Sequence, residues 1–164
     1  MTLPDQAHAA AREIAGAVAA IAPASFERLA GAIAAAHRVV CHGVGREGLM
    51  MRALAMRLYH LGLAAHVAGD MSCPPLGPGD LLIISAGPGA FATVAALQGV
   101  ARDAGAQVAC VTAQPDGAVP RAADLVLHIP AQTMADDQGH PRPASCRWGR
   151  FTKGRNIWHS SFWS

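Results

Sequence analysis

Arg38-Val-Val-Cys-His42-Gly-Val-Gly-Arg46-Glu-Gly-Leu-Met50-Met-Arg-Ala-Leu-Ala55-Met-Arg-Leu-Tyr-His60-Leu decides the fold, because its hydrophobic period changes partway along. Arg38 to His42 is a short β-branched run. From Arg46 to Leu61, the residues Leu49, Met50, Ala53, Leu54, Met56 and Leu58 recur at the spacing of an amphipathic helix. Gly43-Val-Gly45 lies between them, so the unit reads as strand, glycine turn, helix. Downstream it recurs. Ala64 to Ala68 reads as a strand, Pro74 to Asp80 as a turn-rich connection, Leu81 to Ala86 as a buried strand and Phe91 to Ala104 as a helix. Gln107 to Ala113 and Leu125 to Pro130 supply two more strands, with a short helix near Val119 to Ala123 between them. Upstream, the Ala-rich stretch from Pro4 to His37 places Ile14, Val18, Ile21, Phe26, Leu29 and Ile33 at roughly helical spacing, and Pro23 divides it into two helices. Short apolar strands alternating with helices predict an α/β fold with a parallel sheet covered on both faces. In such sheets ligands sit outside the carboxyl ends of the strands.

The 164 residues fit one domain, and a hydrophobic fraction of 52% supplies its core. The N-terminus lacks a basic region followed by an apolar one, and no apolar run reaches the length a bilayer needs, so the expectation is a cytoplasmic protein without a membrane partner. Cys41, Cys73, Cys110 and Cys146 are widely spaced with no zinc-like cluster, and Cys41 and Cys110 fall in strand-like runs. Neither a metal nor a disulfide is expected. The net charge of +2 is uneven: residues 1–141 hold eight Arg against eleven Asp and Glu, whereas Arg142, Arg147, Arg150, Lys153 and Arg155 follow with no acid among them. The basicity is therefore local, not a patterned nucleic-acid face. Trp148, Trp158 and Trp163 lie in the same segment.

Two turns carry chemistry. Gly43-Val-Gly45-Arg46-Glu47-Gly48 matches the dinucleotide pattern G-x-G-x-x-G, which also wants an acid at the end of the next strand, where Asp70 lies just beyond. Ser85-Ala-Gly87-Pro-Gly89-Ala-Phe91-Ala-Thr93 follows the most hydrophobic strand and opens another helix. A helix start presents unpaired N–H groups and the positive dipole end, and Ser85 and Thr93 add hydroxyls, which together make a small phosphate cradle. Both turns also admit a purely structural reading, as tight turns and helix caps. Two such turns on neighbouring strands favour one compact phosphorylated ligand over an extended dinucleotide.

Gly43 to Gly62, Gly69 to Ser85 and Val111 to Asp124 resemble successive stretches of 6-phospho-3-hexuloisomerase, a family of SIS-domain proteins, and the resemblance covers about residues 10–135. It implies a three-layer SIS domain over residues 1–137, with a five-stranded parallel sheet in flavodoxin-like order, assembled as a homo-oligomer, dimer or tetramer. It further implies a sugar-phosphate partner and conversion of 3-hexulose 6-phosphate to fructose 6-phosphate without a cofactor, as in the ribulose monophosphate route of formaldehyde fixation. The two turns make Gly43, Gly45, Arg46, Glu47, Ser85, Gly87, Gly89 and Thr93 the candidate substrate- or phosphate-binding set. Here the commonest SIS pattern is altered, since it has Ser at Glu47 and Ser-Gly-Ser-Gly-Glu-Thr in the second turn. Carbonyl migration needs a base tuned near neutrality, and His60, in Arg57-Leu-Tyr-His-Leu-Gly62, is assigned ring opening or proton shuttling; a helix-capping role for it stays open. His42 and His128 read as core or subunit-contact residues. The alternatives are a noncatalytic SIS module that binds a sugar phosphate, and a nucleotide-binding fragment.

The family's favoured base is the Glu of a Pro-Met-Gly-Ser-Leu-Tyr-Glu segment, whereas Cys146 to Ser164 contain no acid and no helical stripe. One permitted coding of Cys146 to Ser164, entered at its third base, reads Pro-Met-Gly-Thr-Leu-Tyr-Glu-Gly-Ala-Gln-Tyr-Leu-Ala-Phe-Phe-Phe-Leu-Glu. Whatever the codons, Trp148-Gly149 forces a glycine there, Trp158-His159 an alanine and Phe162-Trp163 a leucine. The expectation is a frameshift between about Asp137 and Cys146, leaving residues 138–164 as a poorly ordered segment foreign to the family, with reduced stability and little turnover. A divergent basic tail is the other reading.

Overall fold

The computed structural model describes residues 2–131 and 133. The elements run α1 (Leu3–Ala19), α2 (Pro23–Ala35), β1 (Val39–His42), α3 (Gly45–His60), β2 (Ala65–Val67), β3 (Leu81–Ser85), α4 (Ala92–Asp103), β4 (Gln107–Thr112), α5 (Ala118–Arg121) and β5 (Leu125–His128). Each matches an element read from the sequence to within a few residues. The expectations placed on residues 138–164 lie outside the described residues.

All five strands are parallel, in the order β2-β1-β3-β4-β5. β3 lies at the centre because Leu81-Leu-Ile-Ile-Ser85 is buried at every position, as a strand covered on both faces must be. Alternation divides its side chains. Leu81 and Ile83 join Val39, Cys41, Met51, Leu58 and Leu29 under α2 and α3, while Leu82 and Ile84 join Val40, Val94, Val108 and Val119 under α4 and α5. Fully burying each Leu, Ile or Val contributes about 1.5–3 kcal/mol, so this doubly covered strand adds to the cores on both faces.

Several buried polar groups are tied off. Asp80 meets Arg38 at 2.9 Å and accepts from the Gly77 N–H, fixing the entry to β3. Gln98 donates to the Val119 carbonyl and pins α4 to α5. α1 differs from the rest: a capping box between Thr2 and Asp5 starts it, yet none of its residues is buried, and Leu3, Ile14 and Val18 are 79%, 67% and 60% exposed. Among the described residues no single helix is long and apolar enough to cross a membrane.

Candidate functional site

Chain order reverses between β1 and β3, since β1 leads to β2 on one side and has β3 on the other. A crevice opens outside the carboxyl ends of the strands at such a point. Here it is a hollow of about 560 Å³, to which the turns after β1 and β3 both contribute, together with the ends of β4 and β5. The two glycine turns therefore share one hollow.

The first turn supplies charge. Gly45 has φ +57° and begins α3, so Arg46 and Glu47 enter the hollow from the helix's first turn. Arg46 is exposed and has no ion-pair partner among the described residues. Glu47 is half-buried and reaches across to the second turn, where its Oε2 accepts from the Ser85 hydroxyl at 2.6 Å and the Gly87 N–H at 2.9 Å. Gly87 favours that approach, because a Cβ there would lie 2.7 Å from Glu47 Oε1 and push the carboxylate aside. Two donors of the expected phosphate cradle are thus held by the chain's own carboxylate. A phosphoryl group at the same donors would sit beside that charge, and like charges 4 Å apart repel by on the order of 4 kcal/mol at an effective dielectric of 20.

Other site candidates fall elsewhere. Gly43 lies behind the hollow, where a Cβ on Gly48 would come within 2.6 Å of the Gly43 carbonyl oxygen, so these glycines let helix and turn close on each other. Gly89, at φ +82°, faces Gln114 and Gly117 rather than the hollow. Thr93, the second residue of α4, is exposed and does not line it. His60 ends the sixteen-residue α3, and a rise of about 1.5 Å per step between its first and last residues carries it about 22 Å from the turn that opens the helix. Asp70, the acid the dinucleotide pattern wants, is paired with Arg52 at 3.1 Å.

The sequence reading missed Thr112, which lines the hollow at the end of β4. Its hydroxyl donates to the Ala86 carbonyl at 2.7 Å and accepts from the Gln114 N–H at 3.0 Å, locking the second turn to the loop after β4. A hydroxyl ending an apolar strand was the available signal. Phe91, Val111 and Ile129 form an apolar wall that also went unread. Burial alone pushes the Cys41 thiol up to about 12. Cys110 rises to about 12 through burial, then the Glu47 charge, with an opposing hydrogen bond from the Ala86 backbone. Both are buried as small hydrophobes, as expected. Burial also holds His42 below the usual histidine value, and its Nε2 has no partner among the described residues. Among those residues no group of His, Cys, Asp and Glu could hold a metal ion.

Residues 32–139 match the SIS domain family. The chain is 40% identical over 128 residues to 3-hexulose-6-phosphate isomerase of Mycobacterium gastri, covering 78% of this chain and 64% of that one. It is 33% identical over 127 residues to the Bacillus subtilis protein of the same name, covering 77% and 69%. The chain thus spans about two thirds of the length of these curated relatives. A Methanococcus jannaschii protein, whose crystal structure was used to infer a 3-hexulose-6-phosphate isomerase function, superposes with a TM-score of 0.63 at 28% identity, covering 66% of this chain and 61% of that one. Sheet order, the shared hollow and these likenesses agree: the chain belongs to the SIS-domain family, with relatives named 3-hexulose-6-phosphate isomerase.

Proposed function

We propose that the protein is a sugar-phosphate isomerase that converts 3-hexulose 6-phosphate to fructose 6-phosphate. The observation that carries this reading is the single hollow into which Arg46, Glu47, Ser85 and Gly87 converge from two adjacent turns. The phosphoryl group takes the positive start of α3, with Arg46 and the N–H groups following Gly45; the carbon chain extends toward Ser85 and Gly87. Phe91, Val111 and Ile129 exclude water from the reacting carbons. Because the reaction moves a carbonyl within one molecule, electrons are neither gained nor lost, and it needs no redox cofactor.

Homo-oligomerisation is part of the same reading. Leu3, Ile14 and Val18 of α1, with Phe26 of α2, are more than half exposed, and this apolar surface supports contact with a second copy, in a dimer or tetramer. His60 acts in ring opening or proton shuttling only where such a copy brings its hollow to the far end of α3. A charged hexulose phosphate does not cross a bilayer unaided, which supports a cytoplasmic setting. The foreign character of residues 138–164 is tested by sequencing the gene between the codons for Asp137 and Cys146: a coding with no family-like reading in either other frame removes the frameshift.

Function is tested by mixing the purified chain with 3-hexulose 6-phosphate and following fructose 6-phosphate, alongside melting curves with fructose 6-phosphate, NAD and NADP. Turnover with a melting rise for the sugar phosphate alone is expected. A rise without turnover would indicate a noncatalytic binding module. A rise only with NAD or NADP would replace the isomerase reading altogether.

A further inference from the structure

From the geometry of the hollow we infer that Glu47 is the base that moves the carbon-bound proton; the inference rests on the isomerase reading above. Among the described residues that line the hollow, the ionisable side chains are Arg46 and Glu47. Arginine donates hydrogen bonds and accepts none, so Glu47 alone can take a proton there. His42 does not line the hollow, and His60 is at the other end of α3.

The carboxylate is also held as a base should be. Both donors, Ser85 Oγ at 2.6 Å and Gly87 N–H at 2.9 Å, bind Oε2, which fixes the side chain and leaves Oε1 for substrate. Gly87 clears the space beside Oε1, since any side chain there would start 2.7 Å from it. A carboxylate in the place of a phosphate ligand marks this part of the hollow for the uncharged carbon chain.

The step balances without a co-reactant. Glu47 takes the proton from C2 of the 3-ketose; the C2–H pair becomes the C2=C3 double bond, and the carbonyl pair moves onto O3. The O2 hydroxyl proton passes to O3, the carbonyl re-forms at C2, and the protonated Glu47 returns its proton to C3. No electron leaves the substrate. Although Cys146 to Ser164 contain no carboxylate side chain, the chain therefore keeps a base in Glu47, and turnover does not depend on an acid in that segment.

In deuterium oxide the full chain incubated with fructose 6-phosphate should exchange the C3 proton for deuterium, followed by proton NMR. Glu47→Gln should slow that exchange by about 10²–10⁴-fold while fructose 6-phosphate still raises the melting temperature. Exchange within about threefold of the unaltered chain overturns the assignment and leaves the isomerase reading intact. No exchange by the unaltered chain, together with no turnover, overturns both. If Glu47→Gln does not fold, Glu47→Asp decides: exchange slowed about tenfold or more supports the role of Glu47, and an unchanged rate removes it.

Discussion

The two glycine turns look alike in sequence and do opposite jobs in space. The first, after β1, brings the charged side chains Arg46 and Glu47; the second, after β3, brings the neutral donors Ser85 and the Gly87 N–H. In each, some glycines are closely packed: Gly43 against Gly48 in the first, and Gly89 against Gln114 and Gly117 in the second. A glycine pattern therefore reports where backbone must approach backbone. The chemistry lies in the residues between.

Gly48→Ala strikes this comparison hardest, because the new Cβ would lie 2.6 Å from the Gly43 backbone oxygen and neither group can swing aside. Overpacking costs about 1–3 kcal/mol, against at most about 1 kcal/mol gained in helix propensity, so the melting temperature should fall and turnover with it. Gly87→Ala separates the turns' roles. Its Cβ meets only the end of the flexible Glu47 side chain, so melting should change little while turnover drops about tenfold or more; equal losses in both would deny the second turn its functional part. Arg46→Ala should leave stability within about 0.5 kcal/mol, since the arginine has no ion-pair partner among the described residues, yet raise KM for the phosphorylated substrate. An unchanged KM would move the phosphoryl group away from the first turn.

The smallest effect concerns His42, at the root of the first turn. Burial lowers its pKa from 6.5, so the unfolded chain binds a proton that the folded chain resists. Its contribution is present above about pH 6.5 and is lost as the pH falls from there through the lowered folded value. Melting curves from pH 7.5 to 5 should show a steeper loss for the unaltered chain than for His42→Gln; parallel slopes would show that His42 does not couple to folding.

The fold was legible because strand and helix periods alternate, as where Arg38-Val-Val-Cys-His42 gives way to the helix, although the face α3 buries is Met51, Ala55 and Leu58, while Leu49, Met50 and Met56 of the expected stripe are more than half exposed. Even the three-residue β2 was readable from its turn-bounded neighbours. Gly45, Arg46, Glu47, Ser85 and Gly87 were readable because they belong to the two turns at the carboxyl ends of neighbouring parallel strands, where the hollow opens. Other positions were less readable. Periodicity does not say which side of a turn faces outward, which is why Gly43, Gly89 and Thr93 fall outside the lining. The family resemblance points to His60, near the helix end, and the length of α3 sets it far from the first turn. Thr112, Val111 and Ile129 arrive from β4 and β5, by pairing between distant parts of the chain. The bond from Ser85 to Glu47 spans 38 residues and has no local signature either.

Thr112 Oγ1 bonds to the Ala86 carbonyl, the Ala113 N–H donates to the Gly87 carbonyl, and Gly89 lies against Gly117, so the loops after β3 and β4 are fastened together at several points. Anyone redesigning this protein for a different ketose inherits that coupling. Lengthening the 113–117 loop to admit a bulkier molecule would displace the Gly87 amide as well, so new selectivity has to come from side chains on the rim, not from loop grafts.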